Sequence, residues 1–259
     1  MPRMMTNRGA RVSLVLVGAA LATWIVVVGR MRGMDAGPGT DLGGLGWYVG
    51  VWVTMMAAMM LPSAAPMVVL FDRVSAERRR RGVPAVATSI FVASYLAVWT
   101  AYGLAAYGLY RGVRALDLGF LDWDRGGPYV TGALVALAGA YELTPLKNMC
   151  LRHCRTPLHF VFGRWRDGIG GAIRMGLEHG AYCVGCCWGL MVVLFALGVM
   201  SILWMAVVAA LIFAQKVLPY GRRLAPLFAL LFVAAGVWIA TSPESVPGLT
   251  QPGSMQTQR

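Results

Sequence analysis

The sequence predicts an all-α membrane protein that crosses the bilayer about seven times and carries one short amphipathic helix at the interface. Two features of its composition predict this class, since 58% of the 259 residues are hydrophobic and only 13% are charged. Soluble domains carry about 25% charged residues. The charged residues are also grouped between apolar runs that are long enough to span a bilayer. We therefore predict a single helical membrane domain over residues 1–241 and a flexible tail over residues 242–259.

The amino-terminal segment is basic and continues into an apolar run over residues 12–28. This run is longer than the hydrophobic region of a signal peptide, and Arg30 and Arg32 follow it where a small-residue cleavage site would stand. It therefore predicts an uncleaved first helix. Six further apolar runs predict the remaining spans, over residues 47–71, 86–109, 129–146, 182–200, 202–218 and 224–241.

The charges between the predicted spans indicate their orientation. The loop after the second span contains the basic block Arg78–Arg81, and Arg222 and Arg223 precede the seventh span, whereas the loop after the third span has balanced charge. Basic loops of membrane proteins face the cytoplasm. This rule places the amino terminus in the cytoplasm and the carboxyl terminus outside, in a multi-pass membrane protein.

The stretch between the fourth and fifth spans, residues 147–181, is net basic and interrupted by glycines. Its charges and glycines argue against a span. Within it, Leu158–Trp165 combines apolar and basic residues, which predicts a short amphipathic helix at the cytoplasmic interface.

The net charge of +12 does not indicate nucleic-acid binding, because the arginines occur in short stretches between apolar runs. We expect the lipid bilayer, and no nucleic acid, as a partner. The five cysteines are an odd number confined to one region, which also argues against a disulfide scaffold.

All the cysteines and histidines of the chain lie between residues 150 and 187. Two triads repeat the spacing i, i+3, i+4, and residues so spaced share one face of a helix. A further histidine precedes the second triad by one turn. These residues are the predicted ligands of a soft transition metal, copper or zinc: Cys150, His153, Cys154, His179, Cys183, Cys186 and Cys187.

Two alternatives to a metal site are open at this point. Single cysteines in membrane helices are often small packing residues. Cys183 and Cys186 also have the Cys-x-x-Cys spacing of dithiol redox sites, although no βαβ pattern surrounds them. Whether the two triads meet in space cannot be decided from spacing, because about thirty residues separate them.

Charged and amide side chains within the predicted spans form a second group of candidates. Glu142, Lys147, Gln215 and Lys216 lie in or at the ends of the fourth and sixth spans. Buried charges in membrane proteins need partners, and these four could orient the metal ligands. Snorkelling of the two lysines to the interface is the alternative. The four methionines of the second span, Met55, Met56, Met59 and Met60, could form a copper path or fill the core.

Several motifs resemble a bacterial family of predicted metal-binding integral membrane proteins, which is described as a domain of unknown function. They are Met59-Met-Leu-Pro-Ser63, Leu143-Thr-Pro-Leu-Lys147, Cys150-Leu-Arg-His-Cys154 and Tyr182-Cys-Val-Gly-Cys-Cys-Trp188. The resemblance extends from about Trp52 to Lys216. It implies a helical inner-membrane protein that binds metal, and its cysteine positions correspond to the five cysteines of this chain.

The chain differs from this family pattern at two positions. The pattern usually has Gln where this chain has Glu142, and Glu where it has Gln215. A reciprocal exchange would preserve one carboxylate and one amide if the two side chains touch. We therefore predict that the fourth and sixth spans pack together and place Glu142, Gln215 and Lys216 in one polar cluster.

The function predicted from the sequence is metal handling or transfer by a Cys/His cluster at the cytoplasmic side of the membrane. A membrane or metal-delivery protein is then an expected partner. Two other functions are open: a membrane thiol or metal-centred oxidoreductase, and a subunit of a larger membrane complex in which the metal is structural. The scarcity of histidine argues against an oxygenase site.

Overall fold

The computed structural model describes residues 2–32, 41–83 and 86–246, with the side chains of residues 2–8 excepted. The described part of the chain forms α-helices and two 3₁₀ turns and contains no β-strand, which confirms the predicted all-α class. Most of the predicted tail, residues 247–259, lies outside the described residues. The helices are α1 Pro2–Met31, α2 Leu45–Arg80, α3 Thr88–Ala115, α4 Gly127–Tyr141, α5 Pro145–Arg155, α6 Pro157–Arg164, α7 Gly168–Leu197, α8 Ile202–Val217 and α9 Ala225–Thr241.

Four helices, α1, α2, α3 and α7, are long and apolar enough to cross a membrane. Helices α8 and α9 are apolar but contain only 16 and 17 residues. The structure therefore agrees with a helical membrane protein without confirming a count of seven spans.

Helix α7 begins fourteen residues before the fifth span that the sequence predicts from residue 182. Its first turns contain the charged residues Arg174 and Glu178, which argued against a span. In the structure Glu178 accepts hydrogen bonds from Arg174 and from Arg164 of α6, both at 3.0 Å. The helix therefore continues in a charged segment beyond its apolar part, which begins near Gly180.

The predicted fourth span, residues 129–146, is divided between two helices. Helix α4 ends at Tyr141, and α5 begins at Pro145. Thr144 caps α5, because its side-chain oxygen accepts a hydrogen bond from the backbone N–H of Lys147 at 3.3 Å. Proline is favoured at the first helical position because its missing N–H would have no helical partner there. This break separates α5 from α4 and places α5 against α7.

The short helix α6, Pro157–Arg164, lies within one residue at each end of the amphipathic helix predicted over Leu158–Trp165. Phe160 and Val161 of α6 are buried against α2, α3 and α7, whereas Leu158 and Phe162 are exposed. Helix α6 therefore covers one end of the bundle.

The main core is formed by α2, α3, α7 and α8 and surrounds the cysteines of α7. The four methionines of the second predicted span are buried in this core, each at most 1% exposed. Helix α2 is continuous through Pro62 and Pro66. The side chain of Ser63 donates a hydrogen bond to the carbonyl of Met60 at 2.9 Å, one of the carbonyls near the prolines.

Candidate metal centre

The candidate centre is assembled from helices that are distant in sequence. Helix α5 provides Cys150 and Cys154, and α7 provides Cys183, Cys186 and Cys187. The two helices pack against each other, and Gly185 permits a close approach because a side chain there would meet the sulfur of Cys150. All five cysteines are free thiols.

Four of the five sulfur atoms lie together. The sulfur of Cys154 on α5 is 3.8 Å from the sulfur of Cys186 on α7, and Cys186 is 3.4 Å from Cys187. Cys183 interacts with the other three. The three thiols of α7 are at most 1% exposed, whereas Cys154 is partly exposed. The two triads, separated by about thirty residues, therefore meet in space at these four thiols, which we call the thiol cluster.

The 3.8 Å between the sulfur atoms of Cys154 and Cys186 equals the spacing of two ligands on one metal ion, whereas the 3.4 Å between Cys186 and Cys187 is shorter. Metal–sulfur bonds of about 2.3 Å at tetrahedral angles place neighbouring sulfur atoms about 3.8 Å apart. The described residues nevertheless contain no set of three His, Cys, Asp or Glu side chains already arranged around one point as a metal site. The thiols hydrogen-bond to one another instead, so small side-chain rotations would be needed to gather them around an ion.

A buried cation adjoins the thiol cluster. Lys216, at the end of α8, donates a hydrogen bond from Nζ to the sulfur of Cys183 at 2.8 Å. The hydroxyl of Tyr95 from α3 is 3.0 Å from the same sulfur. Lys216 is 7% exposed and Tyr95 is 1% exposed, so both polar groups face the thiols in a buried site.

A second polar group lies next to this one. Glu142 forms an ion pair with Lys147, and both side chains are 1% exposed. The amide of Gln215 donates to the other carboxylate oxygen of Glu142 at 2.5 Å. The contact between Glu142 and Gln215 that the reciprocal exchange requires is therefore present. Lys216 does not join it, because successive residues point in different directions on a helix and Lys216 faces Cys183.

Arg155 ties the end of α5 to the end of α8. Its guanidinium donates to the carbonyl of Gln215 and, at 2.6 and 3.1 Å, to those of Leu218 and Pro219. These carbonyls lie at or just beyond the end of α8, and that of Leu218 also accepts a hydrogen bond from the backbone N–H of Gly221 at 3.0 Å. The contact fixes the position of α5, and hence of Cys154, relative to Lys216.

Three predicted ligands lie outside the thiol cluster. Cys150 makes no hydrogen bond to another thiol in the described part of the chain, and burial raises the pKa of its thiol. The ring of His153 stacks on Tyr182 with centroids 4.1 Å apart, and its Nδ1 lies 2.9 Å from the carbonyl of Met149. His179 is 2% exposed and packs among Phe91, Tyr95 and Phe160. Its Nδ1 has no hydrogen-bond partner among the described residues.

Tyr95 is a site residue that sequence reasoning missed. It lies within the predicted third span, where a tyrosine hydroxyl needs a polar partner. That requirement was the available signal, but it does not identify the partner as Cys183.

The comparison with known protein families bears on this centre. Residues 49–239, which run from the second turn of α2 to nearly the end of α9, match the model of the PpoB2 family, described as copper chaperones. The chain belongs to this copper chaperone family. No curated protein and no solved structure matches the chain. The family agrees with the metal-related resemblance found in the sequence, and its description refers to copper and not to zinc.

Proposed function

We propose that this member of the copper chaperone family is an integral membrane protein that binds Cu(I) as cargo at the thiol cluster and delivers it to another protein. The observation that carries the proposal is the meeting of Cys154 with Cys186 and Cys187, from helices distant in sequence. Packing alone gives no reason for four thiols to gather at one buried position.

The composition of the cluster favours cuprous ion as the cargo. Sulfur donors are soft, and soft thiolate and thioether ligands select Cu(I). Zinc would also accept four sulfur ligands, but the family description favours copper. His179, with its unpartnered Nδ1 one turn before Cys183, stays a predicted additional ligand.

Lys216 has a defined role in this proposal. Several thiolates around a singly charged ion leave a net negative charge, which is unfavourable in a buried site. The ammonium of Lys216, in contact with Cys183, offsets part of that charge. Tyr95 donates or accepts a hydrogen bond at the same sulfur and helps to fix its position.

Membrane integration is supported by the surface of the helices. Leu14, Ile25, Leu109, Leu137 and Leu230 on four different helices are each more than 60% exposed. So large a set of exposed leucines and isoleucines is unfavourable in water and suits contact with lipid. The helices are thus proposed to lie in the bacterial inner membrane.

The proposed site lies at the cytoplasmic side. Cys183 is five residues beyond Glu178, so the cluster occupies the first turns of the apolar part of α7. The same end of the bundle carries Arg152, Arg155 and Arg222, as expected of a cytoplasmic face. Cytoplasmic thiols stay reduced, which preserves them as Cu(I) ligands.

Copper stoichiometry in cysteine variants tests the proposal. The protein is purified in mild detergent without a metal-binding tag, loaded with Cu(I) under reducing conditions, desalted and subjected to elemental analysis. We expect bound copper in the unmodified protein and in Cys150→Ser, and its loss in Cys154→Ser and Cys186→Ser. Cys150→Ser is the matched control, because it changes the same residue type on the same helix outside the thiol cluster.

Copper retained in both Cys154→Ser and Cys186→Ser would contradict the proposal. Thiols that oxidise and reduce reversibly, in a protein that never retains copper or zinc, would favour the membrane thiol oxidoreductase instead. Copper that cannot be transferred to any acceptor would favour a structural metal in a larger complex.

A further inference from the structure

A solvent-accessible pocket lies on the outer face of α5, at the end of the bundle that is proposed to face the cytoplasm. Its volume is about 440 Å³, and it is lined by Pro145, Asn148, Met149, Arg152, His153 and Arg222. The first five residues belong to α5, and Arg222 comes from the turn between α8 and α9. Pro145, Met149 and Arg152 share one face of α5, and Cys154 lies on the opposite face. This cavity, which we call the α5 pocket, is therefore separate from the thiol cluster.

The α5 pocket contains two positive charges without a protein counter-charge. Arg152 and Arg222 are exposed, and in the described part of the chain neither forms an ion pair with a carboxylate. By contrast, Arg78, Arg164 and Arg174 at the same end of the bundle each pair with a carboxylate. Guanidinium groups bind phosphate in paired, charge-assisted hydrogen bonds. Two of them at one cavity therefore favour a phosphate-bearing anion as its ligand.

A third arginine increases the positive charge near the α5 pocket. The guanidinium of Arg155 is held by the carbonyls of Leu218 and Pro219 at the end of α8. Burial and the nearby charge of Arg222 lower the pKa of Arg155. An anion bound at Arg222 would reduce this repulsion between the two guanidinium groups.

Exposed apolar side chains continue from the α5 pocket along both of its elements. Leu146 follows the first lining residue of α5 and is 53% exposed, and Leu227 and Leu230 in the first turns of α9 are 49% and 67% exposed. Gly139 of α4 lies against Ala229 of α9, so the end of α4 and the beginning of α5 are close to these turns. A soluble phosphate ester makes no use of such apolar surface, whereas the acyl chains of a lipid would cover it.

Charge, position and apolar surroundings agree on one class of ligand. We infer that the α5 pocket binds an anionic phospholipid of the cytoplasmic leaflet, with its phosphate at Arg152 and Arg222 and its acyl chains against α5 and α9. Basic pockets between helices on the cytoplasmic side of membrane proteins bind anionic headgroups in this way. The inference depends on the membrane placement that is part of the proposed function, but it does not depend on copper binding.

Lipid titrations followed by native mass spectrometry test the inference. The full chain in nonionic detergent is titrated with phosphatidylglycerol, and the dissociation constant of the first bound lipid is measured. Phosphatidylcholine with the same acyl chains and no net charge is titrated in parallel. Glycerophosphoglycerol, the water-soluble headgroup without acyl chains, is then added to the complex with phosphatidylglycerol to test whether a free phosphate ester is sufficient.

The double variant Arg152→Gln/Arg222→Gln should bind phosphatidylglycerol more weakly. Each arginine near an anionic headgroup contributes about fivefold to the affinity, so we expect a loss of about 25-fold. The affinity for phosphatidylcholine and the copper stoichiometry should not change, and glycerophosphoglycerol should not displace phosphatidylglycerol. Arg223→Gln is the matched control, because it removes an adjacent exposed arginine that does not line the pocket. It should change the affinity by no more than about twofold.

Four results would overturn the inference while leaving the copper site of the unmodified protein in place. They are no weakening in the double variant, an equal weakening for phosphatidylcholine, an equal effect of Arg223→Gln, and a loss of copper from the double variant. Displacement of the lipid by glycerophosphoglycerol would overturn the choice of a lipid in favour of a soluble phosphate ester. A protein that stays in solution after the detergent is removed would overturn both the membrane placement and this inference.

Discussion

The thiol centre and the α4–α9 helix pair show two different ways of packing helices in the same molecule. In the α4–α9 pair, Gly132 and Gly139 of α4 lie directly against the backbone of α9 at Gly236 and Ala229. Small residues allow the two backbones to touch. At the thiol centre, α5, α7 and α8 meet through thiols, an ion pair and a buried ammonium.

This difference separates what the fold requires from what the function requires. Small-residue packing brings helices together without burying a charge, so it is sufficient for stability. Buried ion pairs give little net stability compared with apolar packing. The contact of the buried ammonium of Lys216 with Cys183 therefore needs a reason other than stability, and the proposed cargo site provides one.

The largest expected effect comes from breaking the buried ion pair. Lys147→Met leaves the carboxylate of Glu142 buried with only Gln215 as a partner, and Glu142→Gln leaves the ammonium of Lys147 unpaired. Each single variant should lose about 3–5 kcal/mol of unfolding free energy. Reversible unfolding in detergent, followed by circular dichroism, measures this loss.

The double variant Glu142→Gln/Lys147→Met is the control for that experiment. It removes both charges and keeps an amide that can pair with Gln215. We expect it to be more stable than either single variant. A double variant as unstable as the sum of the two single variants would mean that the two groups act independently.

Loss of the ammonium at the thiol cluster should reduce copper affinity. Lys216→Met removes the charge that faces Cys183 and keeps a side chain of similar length. The affinity for Cu(I) should fall by about a hundredfold, which corresponds to about 2.7 kcal/mol. Competition against a chromogenic Cu(I) chelator measures the affinity. Lys216→Arg, which keeps the charge, should retain more of it, and equal losses in both variants would indicate a packing role.

Substitution in the α4–α9 pair should reduce stability without affecting copper binding. A Cβ atom in Gly236→Ala would overlap the backbone of α4, including the N–H group of Ala136. Overpacking of this kind should reduce the unfolding free energy by about 1–3 kcal/mol and leave copper stoichiometry unchanged. Gly108→Ala on α3, where no atom lies within 4 Å, is the matched control. It should be neutral or stabilising, and loss of copper in Gly236→Ala would contradict the separation of the two regions.

The smallest effect is expected at Tyr95. Tyr95→Phe removes the hydroxyl that contacts Cys183 and preserves the ring that packs on His179. One buried hydrogen bond contributes about 0.5–1.5 kcal/mol, so copper affinity should fall by about two- to tenfold. Tyr102→Phe, at a tyrosine that contacts the carbonyl of Trp188 and not a thiol, should leave the affinity unchanged.

The helical class followed from composition and apolar runs, because both reflect the whole chain. The beginning of α7 was missed, since the pairing of Glu178 with Arg164 and Arg174 neutralises charges that otherwise argue against a helix continuing into the membrane. The break between Tyr141 and Pro145 was also missed, because its signal is a capping contact of Thr144 within an apolar run.

The thiol cluster could be anticipated only in part. Spacing placed Cys183, Cys186 and Cys187 on one stretch of helix, but the encounter of Cys154 with Cys186 depends on how α5 folds back against α7. The separation of Cys150 from the other thiols depends on the same packing. The contact between Glu142 and Gln215 was predictable, because this chain has Glu and Gln at the two positions where the family pattern has Gln and Glu.

The most direct test of the central claim is X-ray absorption at the copper edge of the Cu(I)-loaded protein, compared with the Cys154→Ser variant. We predict a cuprous ion surrounded mainly by sulfur in the unmodified protein, because the thiol cluster combines α5 and α7. In the variant the sulfur count should fall, or the copper should be absent. Copper bound mainly by nitrogen or oxygen, or a sulfur count that Cys154→Ser leaves unchanged, would contradict a site built from both helices.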